Sequence, residues 1–249
     1  MKTQKTVENR RITASFSKGS QSRVNRPNYL RKHWIFILSI TLIIIAGTAC
    51  LIATVPQLQL WHDLLRFQRL PQSIADWSQF DGIWDGRNGT FSDLKGGGGD
   101  KALAGSTKWS DYTLDADIRF DSDRDARWGD AGVIVRASDA TIGTDAYNGY
   151  YAGIRLRDHA LVLSRSKNEF VQLATNPLPQ PVAIGRWYHL AVTVKDCSIK
   201  ASVGLDGESG TPTSIDYFDR DCPFRQGQIG LRTYNMQTSW RNLRVTVGR

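Results

Sequence analysis

The sequence predicts an all-β domain, a two-sheet antiparallel jelly-roll sandwich preceded by one transmembrane helix, within 249 residues. Three observations carry that expectation. From Ile74 onward, short runs alternate apolar with polar residues and are separated by Gly, Asp and Asn, the period-two signature of half-buried strands. No segment of that region keeps a helical apolar period over three turns. Upstream, residues 34–55 (WIFILSITLIIIAGTACLIATV) hold no charged side chain and are about long enough to cross a hydrocarbon core as a helix.

In chain order, residues 1–33 read as a basic, disordered cytoplasmic tail. They carry nine Lys and Arg against one acid, Glu8, which is the whole formal charge of +8 and leaves 23 basic and 23 acidic residues in the remainder. A basic flank beside an apolar span is the positive-inside signature, so the N-terminus is expected in the cytoplasm and the C-terminal domain outside the cell membrane. The same bookkeeping removes nucleic acid as a partner, because the basicity belongs to a Ser/Thr/Asn-rich tail without apolar periodicity. Residues 56–71 follow as a juxtamembrane stalk, with Leu58, Trp61, Leu64 and Leu65 near one helical face. Residues 72–249 form the extracytoplasmic jelly roll.

Within that domain eight stretches read as strands: 112–120, 131–137, 150–157, 160–166, 187–195, 198–206, 227–234 and 240–247. In YYAGIRLR (150–157), Tyr150, Ala152, Ile154 and Leu156 make a core face, and Tyr151, Gly153, Arg155 and Arg157 the opposite, polar and aromatic one. Trp109, Trp187 and Trp240 each open or close a strand and are expected in the core. Of the three cysteines, Cys50 lies in the apolar span. Cys197 and Cys222 are expected to pair if the domain sits in an oxidising compartment, the alternative being two separately buried thiols.

The stretches WSDYTLDADIRF (109–120), DAGVIVRA (130–137), GYYAGI (149–154), GRWYHLAVTV (185–194) and GLRTY (230–234) carry a resemblance. In that order they look like the concanavalin A-like lectin/glucanase superfamily, nearest to laminin G-like and related sugar-binding or sugar-processing jelly rolls, over residues 77–247. The resemblance implies two curved antiparallel sheets, a concave ligand-binding face and frequently a structural calcium ion. It also implies that Arg136, which follows the Ala-Gly-aliphatic strand, faces the concave side. Function varies widely within such a fold and must be argued from the site.

The glucanase branch supplies its acid and base from a Glu-x-Asp-x-x-Glu strand, and this chain lacks that motif. Asp115-Ala116-Asp117 is the nearest counterpart, and the only glutamates after residue 71 are Glu169 and Glu208. There is no Gly-x-Ser-x-Gly elbow, the run Gly96 to Gly99 lacks the ending of a phosphate loop, and His159 and His189 stand on separate strands. Asp121, Asp123 and Asp125 alternate as calcium ligands can. Ala126 and Gly132 replace the Gly and Glu of an EF-hand, so a solvated acidic turn competes with a structural Ca²⁺ site. Sugar recognition needs flat apolar rings and planar donors. Trp128, Tyr147 and Tyr151 supply the first, and Arg136, Arg155, Arg157 and Arg165 the second. The expected function is a membrane-anchored extracytoplasmic recognition domain for a glycan or cell-envelope component. The alternatives are a glycoside hydrolase or lyase whose acid and base come from Asp115, Asp117 and Asp130, or a structural subunit of a membrane assembly with protein partners.

Overall fold

The computed structural model describes residues 67–87, 89–122, 128–208 and 210–248. The basic tail, the apolar span and most of the stalk lie outside them, as do Asp123 and Asp125. Among the described residues, no helix is long and apolar enough to cross a membrane.

Fifteen strands follow one another in the described chain: β1 (Phe67–Gln68), β2 (Ser78–Phe80), β3 (Trp84–Arg87), β4 (Thr90–Asp93), β5 (Asp100–Ala104), β6 (Tyr112–Phe120), β7 (Asp130–Ser138) and β8 (Asn148–Arg155). They continue with β9 (Ala160–Lys167), β10 (Phe170–Pro177), β11 (Trp187–Lys195), β12 (Ser198–Leu205), β13 (Thr213–Phe218), β14 (Gln228–Tyr234) and β15 (Thr238–Val247). A short 3₁₀ turn, Ile74–Asp76, is capped by Ser73. All pairings are antiparallel. Sheet one runs β13-β12-β11-β6-β15-β4-β3, with β1 beside the C-terminal half of β15, and sheet two runs β10-β9-β8-β7-β14-β5-β2.

Alternation decides which residues fill the space between the sheets. In β6, Tyr112, Leu114, Ala116, Ile118 and Phe120 point into the core, and Thr113, Asp115, Asp117 and Arg119 point out. In β11, Tyr188, Leu190, Val192 and Val194 meet them from the same sheet, while Tyr150, Ala152 and Ile154 of β8 come from the other. Fully burying each large side chain contributes on the order of 1.5–3 kcal/mol. Trp240 lies wholly inside, its indole N–H donating to Gly132 O at 3.2 Å, and Trp109 packs partly buried against the same core. Trp187 does not join them. Its residue pairs with Arg119 across β6, on the outward parity of sheet one, so the expectation of a core tryptophan there is corrected.

The two cysteines of the described domain are joined. Cys197, in the β11–β12 turn, and Cys222, beyond β13, form a disulfide with Cα atoms 5.3 Å apart. A loop of that length stabilises by about 3 kcal/mol in the chain-entropy account.

Two buried carboxyl groups flank the glycine run. Asp93 accepts hydrogen bonds from the amides of Ile83, Lys95 and Gly96, and Asp100 from that of Gly97. Burial, and then the neighbouring Asp100 carboxyl, push Asp93 up to about 6 from an ordinary 3.8. A carboxyl raised in the folded state holds its proton more tightly than in the unfolded chain. Its contribution to stability is complete below pH 4 or so and is lost as pH rises through about 6. The unfolding midpoint should therefore rise as pH is lowered from about 7.5 to about 5. Asp100→Asn, which places a neutral amide beside Asp93 but leaves it buried, should remove part of that rise. An equal rise in both proteins would contradict the assignment.

Candidate functional site

Sheet two presents a second buried cluster on its outer side. Leu103, Ile134 and Tyr151 have the outward parity of β5, β7 and β8, and with Ala137, Tyr147, Phe80 and Ala140 they form a small apolar group apart from the main core. The covering element is the loop of residues 139–147, which lies across the sheet. Polar side chains stand beside it. The buried Lys101 ammonium donates to Gly143 O at 2.5 Å. Burial, then the Arg232 charge, push that ammonium down to about 8. Arg232, also buried, reaches Asp130 at 2.6 Å, Asp145 at 3.0 Å and Thr144 O at 3.4 Å. Burial works against its charge, but the Asp130 and Asp145 carboxylates hold its pKa above the ordinary value.

Tyr151 completes the network. Its hydroxyl donates to Asp130 at 2.7 Å, and its ring centroid is 4.7 Å from the Arg232 guanidinium carbon. The ring is accommodated because Gly153 has no side chain: a Cβ there would sit 2.1 Å from the tyrosine hydroxyl. Burial raises this phenol well above its ordinary value, so it stays a neutral donor. Tyr147 is fully buried, and its hydroxyl has no hydrogen-bond partner.

At the end of β8 the site is open. Trp128 is 52% exposed, and the Arg157 guanidinium lies 4.7 Å from its ring centroid. Arg155 holds Asp158 in a two-pronged pair at 2.8 and 2.6 Å and donates to Gln172 at 2.9 Å. Among the residues expected from sequence, the structure thus brings Tyr147, Tyr151 and Arg155 to the outer side of sheet two, with Trp128 and Arg157 together at the end of β8.

Arg136 and Arg165 go elsewhere. Arg136 sits at a bulge in β7 with a positive φ of 54°, and bulges re-aim side chains. Its buried guanidinium donates to Ser110 O, Asp196 O, Phe224 O and Asp111 at 2.6–3.1 Å, tying loops together beside the disulfide. Arg165 pairs with Asp219 and Asp221, and Asp219 also accepts from Tyr150. Of the acidic turn, Asp121 accepts from Arg119 at 2.6 Å and Ser239 at 2.5 Å. No group of three or more His, Cys, Asp or Glu among the described residues is arranged to hold a metal ion.

The outer face of sheet one carries a separate polar cluster. Antiparallel register sets His189 opposite Asp117. The imidazole, 48% exposed as a side chain, has Nδ1 at 2.9 Å from Asp117 and Nε2 at 3.6 Å from Asp115. Asp117 also accepts from Asn242 at 2.6 Å and Arg241 at 3.3 Å, and Arg244 stands 3.5 Å from Asp115. Arg241 and Arg119 both lie over the Trp187 ring, at 4.2 and 4.7 Å. Asp130, on sheet two, is not part of this group. A groove of about 230 Å³ lies between residues 178–181 and the β12–β13 connection, and the aromatic in its lining, Tyr188, is buried.

A family model described as a 3-keto-alpha-glucoside-1,2-lyase-like domain matches residues 71–246. The chain belongs to this family. Its fold is the concanavalin A-like, galectin-like jelly roll, in agreement with the superfamily resemblance read from sequence. Among solved structures, the carbohydrate binding module CBM66 from Bacillus subtilis is 21% identical with a TM-score of 0.55, over 68% of this chain and 94% of that one. A Bacillus subtilis protein of unknown function with a galectin-like fold is 13% identical, with a TM-score of 0.53 over 74% and 97% of the two chains. The VIP36 exoplasmic/lumenal domain, in a form bound to Ca²⁺ and Man3GlcNAc, is 8% identical with a TM-score of 0.56 over 74% and 91%. At such identities the likeness shows the fold. No curated protein matches the chain.

Sequence reasoning missed Lys101 and Arg232 as members of the sheet-two network, and His189 as the neighbour of two aspartates. Lys101 sits in a five-residue strand that is buried on both faces, which erases its alternation. Arg232 lies at the outward parity of GQIGLRTY, and that register was readable from the same alternation that exposed Tyr151 and Arg155.

Proposed function

We propose that the domain is a membrane-anchored, extracytoplasmic recognition module that binds a glycan on the outer face of sheet two. The observation that carries this reading is the linked array of Asp130, Tyr151 and Arg232 on that face, with Lys101 opposite Arg232 in the strand register, and with exposed Trp128 and the guanidinium groups of Arg155 and Arg157 near the end of the same β8 strand. A ring face packs against sugar C–H groups, and planar guanidinium and carboxylate groups pair with vicinal hydroxyls. The carbohydrate binding module and the saccharide-bound lumenal domain among the structural neighbours support it. Residues 34–55 and the wholly N-terminal net charge support a single span with the N-terminus in the cytoplasm. Confinement to the membrane raises the effective concentration of nearby envelope glycans, so weak contacts suffice.

A glycan array probed with the detergent-solubilised full chain tests the reading. Binding should fall about tenfold or more in Trp128→Ala and Arg155→Ala, with unchanged circular dichroism. No glycan bound by the wild type would sink it.

A second reading, a glycoside lyase or hydrolase, is favoured by the description of the family and by His189 seated between Asp115 and Asp117. It predicts release of reducing or unsaturated sugar that Asp117→Asn and His189→Gln both abolish. Binding without turnover would leave the recognition module.

A further inference from the structure

The contacts between sheet two and the loop of residues 139–147 are one-sided. Three strands supply the donors: Lys101 from β5 to Gly143 O, Arg232 from β14 to Thr144 O and the Asp145 carboxylate, and Ser166 from β9 to Asp145 O at 2.5 Å. The loop supplies carbonyl and carboxylate oxygens. We propose that this loop occupies the saccharide site of its own sheet, and that the ligand which displaces it carries a carboxylate, as a uronic acid does. The inference rests on the glycan reading above.

Charge gives the ligand class. The sheet keeps two cations, Lys101 and Arg232, opposite each other in the β5–β14 register, and one carboxylate, Asp130, 2.6 Å from Arg232, and the balancing carboxylate, Asp145, is the loop's. When the loop leaves, the face is one negative charge short. A neutral sugar cannot supply it. A uronic acid offers a carboxylate for the two cations and hydroxyls for the rest.

Satisfaction points the same way. The Tyr147 hydroxyl, the Ser164 hydroxyl and the Asn148 side-chain oxygen are buried without hydrogen-bond partners at or beside this face. Such orphaned groups are costly, and a polyhydroxylated ligand supplies both donors and acceptors. Through its middle the loop is held by polar contacts, those above and Thr144 Oγ1 donating to Gly98 O at 2.6 Å, which a polar ligand can replace. Its apolar anchors are Ala140 and Tyr147 near its ends, while Ile142 at the tip is 75% exposed. Thr144 seats against Gly99, where a Cβ would come within 2.2 Å of the Thr144 Cα, so the closed position depends on one glycine. The segment from Thr141 to Ala146 can therefore swing out about a fixed Tyr147.

The test is calorimetric titration of the full chain in detergent with oligosaccharides of glucuronic, galacturonic and mannuronic acid, each against its neutral counterpart. At least one acidic saccharide should bind about tenfold more tightly than the neutral one. Asp145→Asn should tighten that binding about fivefold or more by weakening the competitor, and should speed amide exchange in residues 140–146. Lys101→Met should reduce the acidic ligand to the neutral level. Equal affinity for acidic and neutral sugars, or an Asp145→Asn variant unchanged in both affinity and exchange, overturns this inference while leaving the glycan reading intact. No saccharide bound at all overturns both.

Discussion

Replacing Arg232 with methionine should destabilise the domain by about 3–5 kcal/mol, measured by denaturant unfolding of the full chain in detergent. The guanidinium is buried between Asp130 and Asp145 and lies against Tyr151. Without it, two largely buried carboxylates face each other with no cation between them. The loss is the penalty of stranding charge and not the net worth of the pairs, so removing one stranded charge should return part of it. Arg232→Met combined with Asp145→Asn should recover about 1 kcal/mol or more relative to Arg232→Met alone. A loss below about 1 kcal/mol in the single variant would mean that water, and not Arg232, satisfies these carboxylates.

Arg136→Met should cost a similar amount, about 3 kcal/mol or more, by a different route. Its guanidinium serves three carbonyl oxygens and Asp111, and each loses its charged donor where water has little access. The folded fraction should nevertheless bind saccharide as the wild type does, because this side chain points to the disulfide end and not to the outer face of sheet two. That split, lower stability with unchanged affinity, separates a residue that ties loops together from one that touches ligand. A fall in affinity measured on fully folded protein would return Arg136 to the binding face that the superfamily resemblance implied.

The layered architecture was largely legible. All eight stretches chosen for alternation are strands, with ends shifted by no more than two residues. What escaped were edges and short pieces. β10 and β13 flank their sheets and are mostly exposed, so little apolar alternation marks them, while β2 to β5 are short and interrupted by turn residues. β1 falls in the stretch read as stalk and pairs with β15. The cysteine pairing followed from compartment logic and holds in the structure.

The site was legible in part. Tyr151 and Arg155 were assigned to the right face by parity alone. Parity could not show that a loop would fold over that face and bury Tyr151, nor that a bulge at Arg136 would turn its side chain away, since both depend on contacts between residues far apart in sequence. His189 and Asp117 are 72 positions apart, and only the β6–β11 register makes them neighbours. Trp187 was misplaced for a related reason: opening a strand fixes a residue's position along the sheet but not its face.

The central claim is that saccharide is held on the outer face of sheet two. Hydrogen–deuterium exchange of the full chain, with and without the tightest saccharide from the array, tests it directly. Exchange should slow near Trp128 and the end of β8, and change in residues 140–146. Slowed exchange confined to β6, β11 and β15 around Asp117 and His189 would contradict it and place the ligand on sheet one.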